Sequence, residues 1–462
     1  VRDPSRMAEV LNRVIEKAFR GSAPAQINVP RDYWTQVIDV ELPPIVRFER
    51  QGGGKDAIER AAKLLSDAKF PVILSGAGVV IGDAIEDCKK IAEKLDSPVC
   101  SGYQHNDSFP GSHPLAVGPL GYNGSKAAMQ LISKADVILA LGTRLNPFST
   151  LPGYGIDYWP KNAKIIQVDM NPDRIGLTKK VTVGICGDAK MVATQLLQKL
   201  SSNAGDKNRE ERKNTIHQTK SAWLQTLTSL NHEEDDPGTV WNKDARKRDK
   251  DRMSPRQAWR AIQAALPEDV IISSDIGNNC AIGNAYPTFE KGRKYLAPGL
   301  FGPCGYGFPS ILGAKIGCPN TPVVGFAGDG AFGISMNEMS SCARKEWPKI
   351  TMVIFRNYQW GAEKRNSILW FDDNFIGTEL DPELSYAKVA NACGLKGVTV
   401  KTMDETTKAI KQSCNDQKKG ITTFIEVILN QELGEPFRRD AMKKPVKVAG
   451  IKKEDMKPQE IL

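Results

Sequence analysis

Residues 323–357 read Val323-Val-Gly-Phe-Ala-Gly328-Asp329-Gly330-Ala-Phe-Gly-Ile-Ser335-Met-Asn-Glu338-Met-Ser-Ser-Cys-Ala-Arg-Lys-Glu-Trp-Pro-Lys-Ile350-Thr-Met-Val-Ile-Phe-Arg356-Asn357. Two short, continuous apolar runs rich in β-branched residues flank a segment of helical length. That pattern predicts two buried parallel strands joined by a crossover helix. The spacing of Ser335 and Glu338 predicts a capping box at the start of that helix. Such a unit is right-handed, so both strand ends reach one sheet edge, where open α/β sheets bind ligands. Asp329 and Asn357 therefore converge there. A carboxylate and a carboxamide beside a glycine turn suit a hard cation such as Mg2+ that shares its shell with phosphate oxygens. Gly328 and Gly330 let the backbone approach those phosphates, and the helix start offers N–H donors. A Gly-Asp-Gly triplet alone is more often plain turn chemistry. The asparagine at the next strand end reverses that balance.

The chain has 462 residues, too many for one core, and predicts two or three domains. Apolar residues make up 40% and charged residues 25%, as in an ordinary globular protein. No apolar run approaches the roughly 20 residues of a membrane span, which excludes an integral membrane protein. Nine cysteines without a CxxC pair indicate neither a zinc site nor a disulfide framework, and point to the reducing cytoplasm. The net charge of +9 is spread over the sequence without a nucleic-acid-binding motif. It reads as solvated surface and a field that attracts small anionic substrates.

Along the chain, residues 4–19 predict an amphipathic helix and Ala25–Val29 a short strand. Residues 50–200 alternate helices (56–67, 83–95, 125–134) with apolar runs at 71–75, 98–100, 136–141 and 164–169. This is the signature of a doubly wound domain on a parallel sheet. Its Gly76-Ala77-Gly78 turn is too partial a motif for a dinucleotide loop, and the domain reads as scaffold. Residues 201–253, ending in the charged run 243–252, read as a solvated linker or surface helix. Ser254-Pro255 is a helix-start signal that opens a second α/β domain, 254–434, and a basic tail follows at 435–462.

The Gly328-Asp329-Gly330…Arg356-Asn357 pattern resembles the cofactor motif of thiamine diphosphate (ThDP) enzymes. That motif is Gly-Asp-Gly closed by Asn-Asn, with Arg356 here in place of the first asparagine. The resemblance implies that Asp329, Asn357 and the backbone carbonyl of Gln359 hold Mg2+, which grips the cofactor diphosphate alongside Gly328, Gly330 and Ala331. Gly299-Leu-Phe-Gly302-Pro-Cys304-Gly-Tyr-Gly-Phe-Pro309 is similar to the segment that clasps the aminopyrimidine ring, with a carbonyl from Gly302 and a wedge from Cys304. Ser274-Asp275-Ile276-Gly277-Asn278 resembles the second diphosphate contact, which implies Asp275, Gly277 and Asn278 as cofactor-binding residues. The likeness extends over essentially the whole chain.

By the same resemblance, residues 1–40 close a pyrimidine-binding domain. Most of that domain, with the glutamate that activates the cofactor, would precede Val1, and this stretch would be catalytically incomplete alone. Phe355-Arg-Asn-Tyr-Gln-Trp-Gly-Ala-Glu-Lys-Arg-Asn366 looks like the sulfoacetaldehyde acetyltransferase branch of the family. That branch joins sulfoacetaldehyde and phosphate to give acetyl phosphate and sulfite. Two anions, a sulfonate and a phosphate, call for cations, and Lys364 and Arg365 are the candidates. His105 is a candidate reaching in from the central domain. Family members build each site between two chains, which implies a homodimer or homotetramer. An acetolactate-synthase-like carboligase would share every cofactor residue, and a non-catalytic product that binds a partner copy is a reading of another class. The sequence upstream of Val1 separates that last reading from an enzyme.

Overall fold

The computed structural model describes residues 1–21, 23–44, 49–154, 156–229, 249, 251–299, 301–370 and 375–431; side chains at 229, 365, 366 and 368–370 lie outside the described set. Strands β1 (Pro71–Ser75), β2 (Val99–Ser101), β3 (Ala116–Pro119), β4 (Val137–Leu141), β5 (Lys164–Asp169) and β6 (Val183–Cys186) form one sheet. Its order is β3-β2-β1-β4-β5-β6, and every pairing is parallel. The second sheet holds β7 (Ile271–Ser274), β8 (Tyr295–Leu296), β9 (Val323–Gly328), β10 (Thr351–Arg356), β11 (Lys396–Val400) and β12 (Thr423–Ile428). It runs β11-β12-β10-β9-β7-β8, again all parallel.

Both sheets are built from the apolar runs because helices cover both faces, so alternate residues enter different cores. Along β9 and β10, Val324, Phe326, Val353 and Phe355 pack with Trp259 on one face. Val323, Ala327, Met352 and Ile354 pack with Phe308 and Phe332 on the other. In the first domain, helix Lys55–Asp67 buries Ile58, Ala61, Ala62 and Leu65, the i, i+3, i+4, i+7 stripe of a helix laid on a sheet. The two domains are hydrogen-bonded to each other. Asn106 Nδ2 donates to the carbonyls of Asn284 (2.9 Å) and Pro287 (2.8 Å), and Asp107 Oδ2 accepts the Lys294 N–H at 2.9 Å.

Several sequence expectations are corrected. Ala25–Val29 is not a strand; neither sheet offers it a neighbour, and a strand forms only with one. The helix expected over 83–95 is present as Ile85–Leu95, and an unforeseen short helix, Ala77–Ile81, precedes it, the two separated by a turn in which Asp83 has φ 58°. Strands β3 and β6 were unforeseen, being only four residues each. Ser335 and Glu338 form no capping box. The helix starts at once after β9, with Gly328 as N-cap and Asp329 its first residue, and ends at Ser335. Within 201–253, helix Arg209–Ser229 is packed rather than solvated, with Ile216 and Trp223 buried and Arg212 fully so. The tail 435–462 and charged residues 243–248 lie outside the described residues.

The Gly76–Gly78 turn has a packing explanation. The Gly78 N–H donates to the Gly142 carbonyl at 2.8 Å, and a Cβ on Gly78 would lie 2.7 Å from Gly142 Cα. Only glycine permits that approach between the ends of β1 and β4. A cavity of about 870 Å³ opens beside the turn, lined also by His105, Arg144, Asp169 and Arg174. It lies at the point where the strand order reverses.

Candidate active site

Pairing of β9 with β10 in parallel register sets Gly328 opposite Phe355, so the residues that follow each strand leave the sheet together. Asp329 and Asn357 are both buried there, at 1% and 2% exposure. The Tyr358 N–H donates to Asp329 Oδ2 at 2.7 Å, and the Gly330 N–H donates to Oδ1 at 3.0 Å. Around them lies a cavity of about 180 Å³, walled by Gly277, Asn278, Gly302, Cys304, Gly328, Asp329, Gly330, Ala331, Asn357 and Gln359. Four chain segments far apart in sequence thus share one small space.

Its polar atoms are poorly satisfied by the protein. Asn357 Oδ1, Gln359 Oε1, and both Oδ1 and Nδ2 of Asn278 are buried without a hydrogen-bond partner. A buried orphan of this kind costs about 1–3 kcal/mol, so its recurrence in one cavity marks a place for a polar ligand. Carboxylate and carboxamide oxygens together are the donor set of a hard cation, and they fit Mg2+. Asn278 and the amides of the two helix starts at Gly277 and Gly328 fit a diphosphate. The space suits that end of a cofactor; a whole drug-sized molecule needs at least about 300 Å³. Gly277 has φ 118° and ψ 172°, a conformation essentially reserved for glycine, and it opens the Asn278–Ile282 helix towards the cavity. Gly330 lies under the Trp360 ring, which a Cβ would meet at 2.8 Å.

Burial raises the Asp329 carboxyl to about 6, with the Arg356 guanidinium and the Tyr358 and Gly330 amides acting against it. Asp275 is also buried but faces elsewhere. Its carboxylate accepts N–H bonds from Gly307 (2.7 Å), Ile276 (2.8 Å) and Gly305 (3.2 Å). It thereby fixes the clasp segment and does not line the cavity. Cys304 is exposed at the cavity edge, and partial burial, with Asp275 and Glu363 nearby, raises its thiol. At neutral pH it is a protonated, weak nucleophile.

Lys364 is 1% exposed, and its ammonium is paired with Glu379 rather than lining the cavity. The side chain of Arg365 lies outside the described residues. His105 lines the larger cavity, which Leu296, Gly299 and Tyr306 of the second domain also line, and among the described residues none lines both cavities. Sequence reasoning missed Arg356 as a site residue beyond its charge. Only its neighbours, described below, reveal what it holds.

Burial, and secondarily Arg144, pushes His105 down to about 4. A histidine that binds its proton more weakly when folded contributes stability that is lost as pH falls from about 6.5 towards 4. His105→Gln is expected to remove that loss, about 1–2 kcal/mol because the ring keeps some contact with cavity water. Urea unfolding at pH 7 and pH 4.5 measures it; equal acid sensitivity of variant and parent would refute the assignment.

Residues 58–196 match the family described as "Thiamine pyrophosphate enzyme, central domain", and residues 275–427 match "Thiamine pyrophosphate enzyme, C-terminal TPP binding domain". The chain is 77% identical over 459 residues to the "Probable sulfoacetaldehyde acetyltransferase" of Rhizobium meliloti (strain 1021), covering 99% of this chain and 78% of that protein. The chain belongs to the sulfoacetaldehyde acetyltransferase family of thiamine pyrophosphate enzymes. A second member, the sulfoacetaldehyde acetyltransferase of Roseovarius nubinhibens, is 73% identical over 461 residues, covering 100% of this chain and 76% of its own. The crystal structure of benzoylformate decarboxylase from Polynucleobacter necessarius has the same fold, with a TM-score of 0.70 and 20% identity over 94% of this chain and 75% of that one. The small cavity is lined by residues within the segment that matches the TPP-binding domain, and ThDP is the cofactor of that family. Among the described residues no helix is long and apolar enough to cross a membrane.

Proposed function

We propose that the protein is a ThDP- and Mg2+-dependent acyltransferase that converts sulfoacetaldehyde and phosphate into acetyl phosphate and sulfite. The observation that carries the reading is the ring of unsatisfied oxygens around Asp329, in a chain 73–77% identical to sulfoacetaldehyde acetyltransferases. Asp329, Asn357 and Gln359 would hold Mg2+. Asn278 and the amides after Gly277 and Gly328 would hold the diphosphate, and Gly302 and Cys304 would border the rest of the cofactor. ThDP, when bound, supplies a carbon nucleophile for the aldehyde carbonyl. The chain's own contribution is to fix both ends of the cofactor and to keep the diphosphate's charge neutralised before the reaction begins.

Lys364 and Arg365 are the proposed ligands of the sulfonate and phosphate. They follow Gly361, Ala362 and Glu363, the helix start that lines the cavity. Lys364 would serve by exchanging Glu379 for a substrate oxygen. Phe301, Ile334 and Ile376 are exposed, at 92%, 57% and 81%. Phe301 lies in the clasp and Ile334 packs beside Gly305, which supports a second copy of the chain covering the site. All nine cysteines are unpaired, in keeping with a reducing cytoplasm.

The test uses protein expressed from its complete reading frame. Sulfite and acetyl phosphate should form in equal amounts from sulfoacetaldehyde, and only when phosphate, Mg2+ and ThDP are all present. Consumption of pyruvate with no sulfite from sulfoacetaldehyde would replace this reading with the carboligase one.

A further inference from the structure

Arg356 and Tyr358 bracket the metal-ligand candidate Asn357, and both are held in unusual ways. Arg356 ends β10 with its side chain 1% exposed, between two buried carboxylates, Asp329 just after β9 and Glu426 on β12. Its Nη1 donates to Asp329 Oδ2 at 3.1 Å, and its Nε lies 3.8 Å from Glu426 Oε1. Nη2 donates to the carbonyls of Asp381 and Leu384, the latter at 2.9 Å. Tyr358 has φ 63°, in the left-handed region that a bulky side chain rarely occupies and that surroundings must enforce.

Those surroundings are visible. The Tyr358 ring is stacked by the Arg356 guanidinium, 4.3 Å from its centroid, and by that of Arg252 at 4.9 Å. Two cations against one aromatic ring hold it through its quadrupole. Its N–H is spent on Asp329 Oδ2, and its carbonyl accepts the Leu380 N–H at 2.9 Å. A left-handed residue reverses the chain locally, so Asn357 before it and Gln359 after it both come to line the cavity beside Asp329. The bonds from Arg356 and Tyr358 both fall on Oδ2, while among the described residues Oδ1 accepts only from the Gly330 N–H.

We infer that Arg356 and Tyr358 form a positioning unit for the metal: the guanidinium stack keeps residue 358 left-handed, which aims Asn357 and Gln359 into the cavity and commits Asp329 Oδ2, so that Oδ1 meets the cation. The inference rests on the Mg2+–diphosphate reading of the cavity. It gives Arg356, which stands where the family motif has asparagine, a role beyond added charge. It also ties the metal turn to the segment Asp381–Leu384, which Arg356 holds by its carbonyls.

Calorimetric titration of ThDP into the apoprotein at saturating Mg2+, with the full-length chain, tests it. Tyr358→Ala loses the stacked ring but keeps a Cβ that disfavours the left-handed turn. It should weaken metal-dependent ThDP binding about tenfold or more, the effect typical of residues that orient metal ligands. Tyr358→Phe keeps ring and stack and should bind within about twofold of the parent. Arg356→Lys cannot reach Asp329 and both carbonyls together, and should resemble Tyr358→Ala. If Tyr358→Ala binds within about threefold of the parent, or Tyr358→Phe is as weak as Tyr358→Ala, the positioning role is wrong. A lowered unfolding temperature with unchanged affinity has the same consequence. Asp329→Ala in the same titration separates the two levels. Retention of ThDP by that variant would overturn the site itself, whereas its loss beside a tight Tyr358→Ala overturns only the inference.

Discussion

Asp329→Ala is expected to abolish Mg2+-dependent ThDP retention, weakening it by at least about a hundredfold, since it removes the one carboxylate of the proposed metal ligand set. The remaining ligands are neutral carboxamides and a carbonyl, which cannot offset the charge of a divalent cation in a buried cavity. Asp329 also accepts the bonds that organise the turn: Arg356 and Tyr358 on Oδ2, Gly330 on Oδ1. Asp329→Asn is the sharper variant, because it keeps the volume and one acceptor while deleting the charge. It should retain the fold and still lose most cofactor. Mass-spectrometric ThDP content after gel filtration in Mg2+ measures both; parental content in either variant would remove Asp329 from the metal site.

The largest expected effect on stability lies far from the cavity. Arg212 is fully buried, and its guanidinium donates to five carbonyls. Two belong to Leu95 and Asp96, at the end of helix Ile85–Leu95, where a cation also meets the negative end of the helix dipole. The others, on Lys69, Lys207 and Gly205, pin the connection to helix Arg209–Ser229 against the first domain. Arg212→Ala leaves those carbonyls facing a void and should cost on the order of 3–5 kcal/mol. In a domain of this size that lowers the unfolding temperature by roughly 10 °C. Arg212→Lys should recover only part, because a single ammonium cannot serve five acceptors in a plane. Urea or thermal unfolding decides it; a loss below about 1 kcal/mol would show that the carbonyls find other partners.

Both positions show what was legible in the chain. Asp329 announced itself because a strand end, a glycine pair and a second strand end follow one another within 35 residues, and parallel pairing is local enough to foresee. Arg212 could not be read, because its acceptors lie in three segments and a lone arginine in a charged stretch looks like solvated surface. Lys364 was legible only in part, for a related reason. Its spacing from Asn357 suggested an open cation beside the site, but Glu379, 15 residues on, returns to pair with it. Ser335 and Glu338 had the spacing of a cap, yet the helix had already started at Asp329, where a strand can turn straight into a helix on glycine.

By itself the sequence determined two parallel α/β domains, the meeting of Asp329 with Asn357, and the family to which the chain belongs. The first two follow from periodicity, turn chemistry and handedness, which act over short spans of chain, and the family follows from the resemblance of its motifs. The tertiary structure alone decided which oxygens stay unsatisfied, that Asp275 serves the clasp, that Lys364 is paired, and that two arginines hold Tyr358 in a left-handed turn. Those depend on contacts between residues distant in sequence, where burial removes water as the alternative partner and leaves each polar atom with only the neighbours the fold supplies.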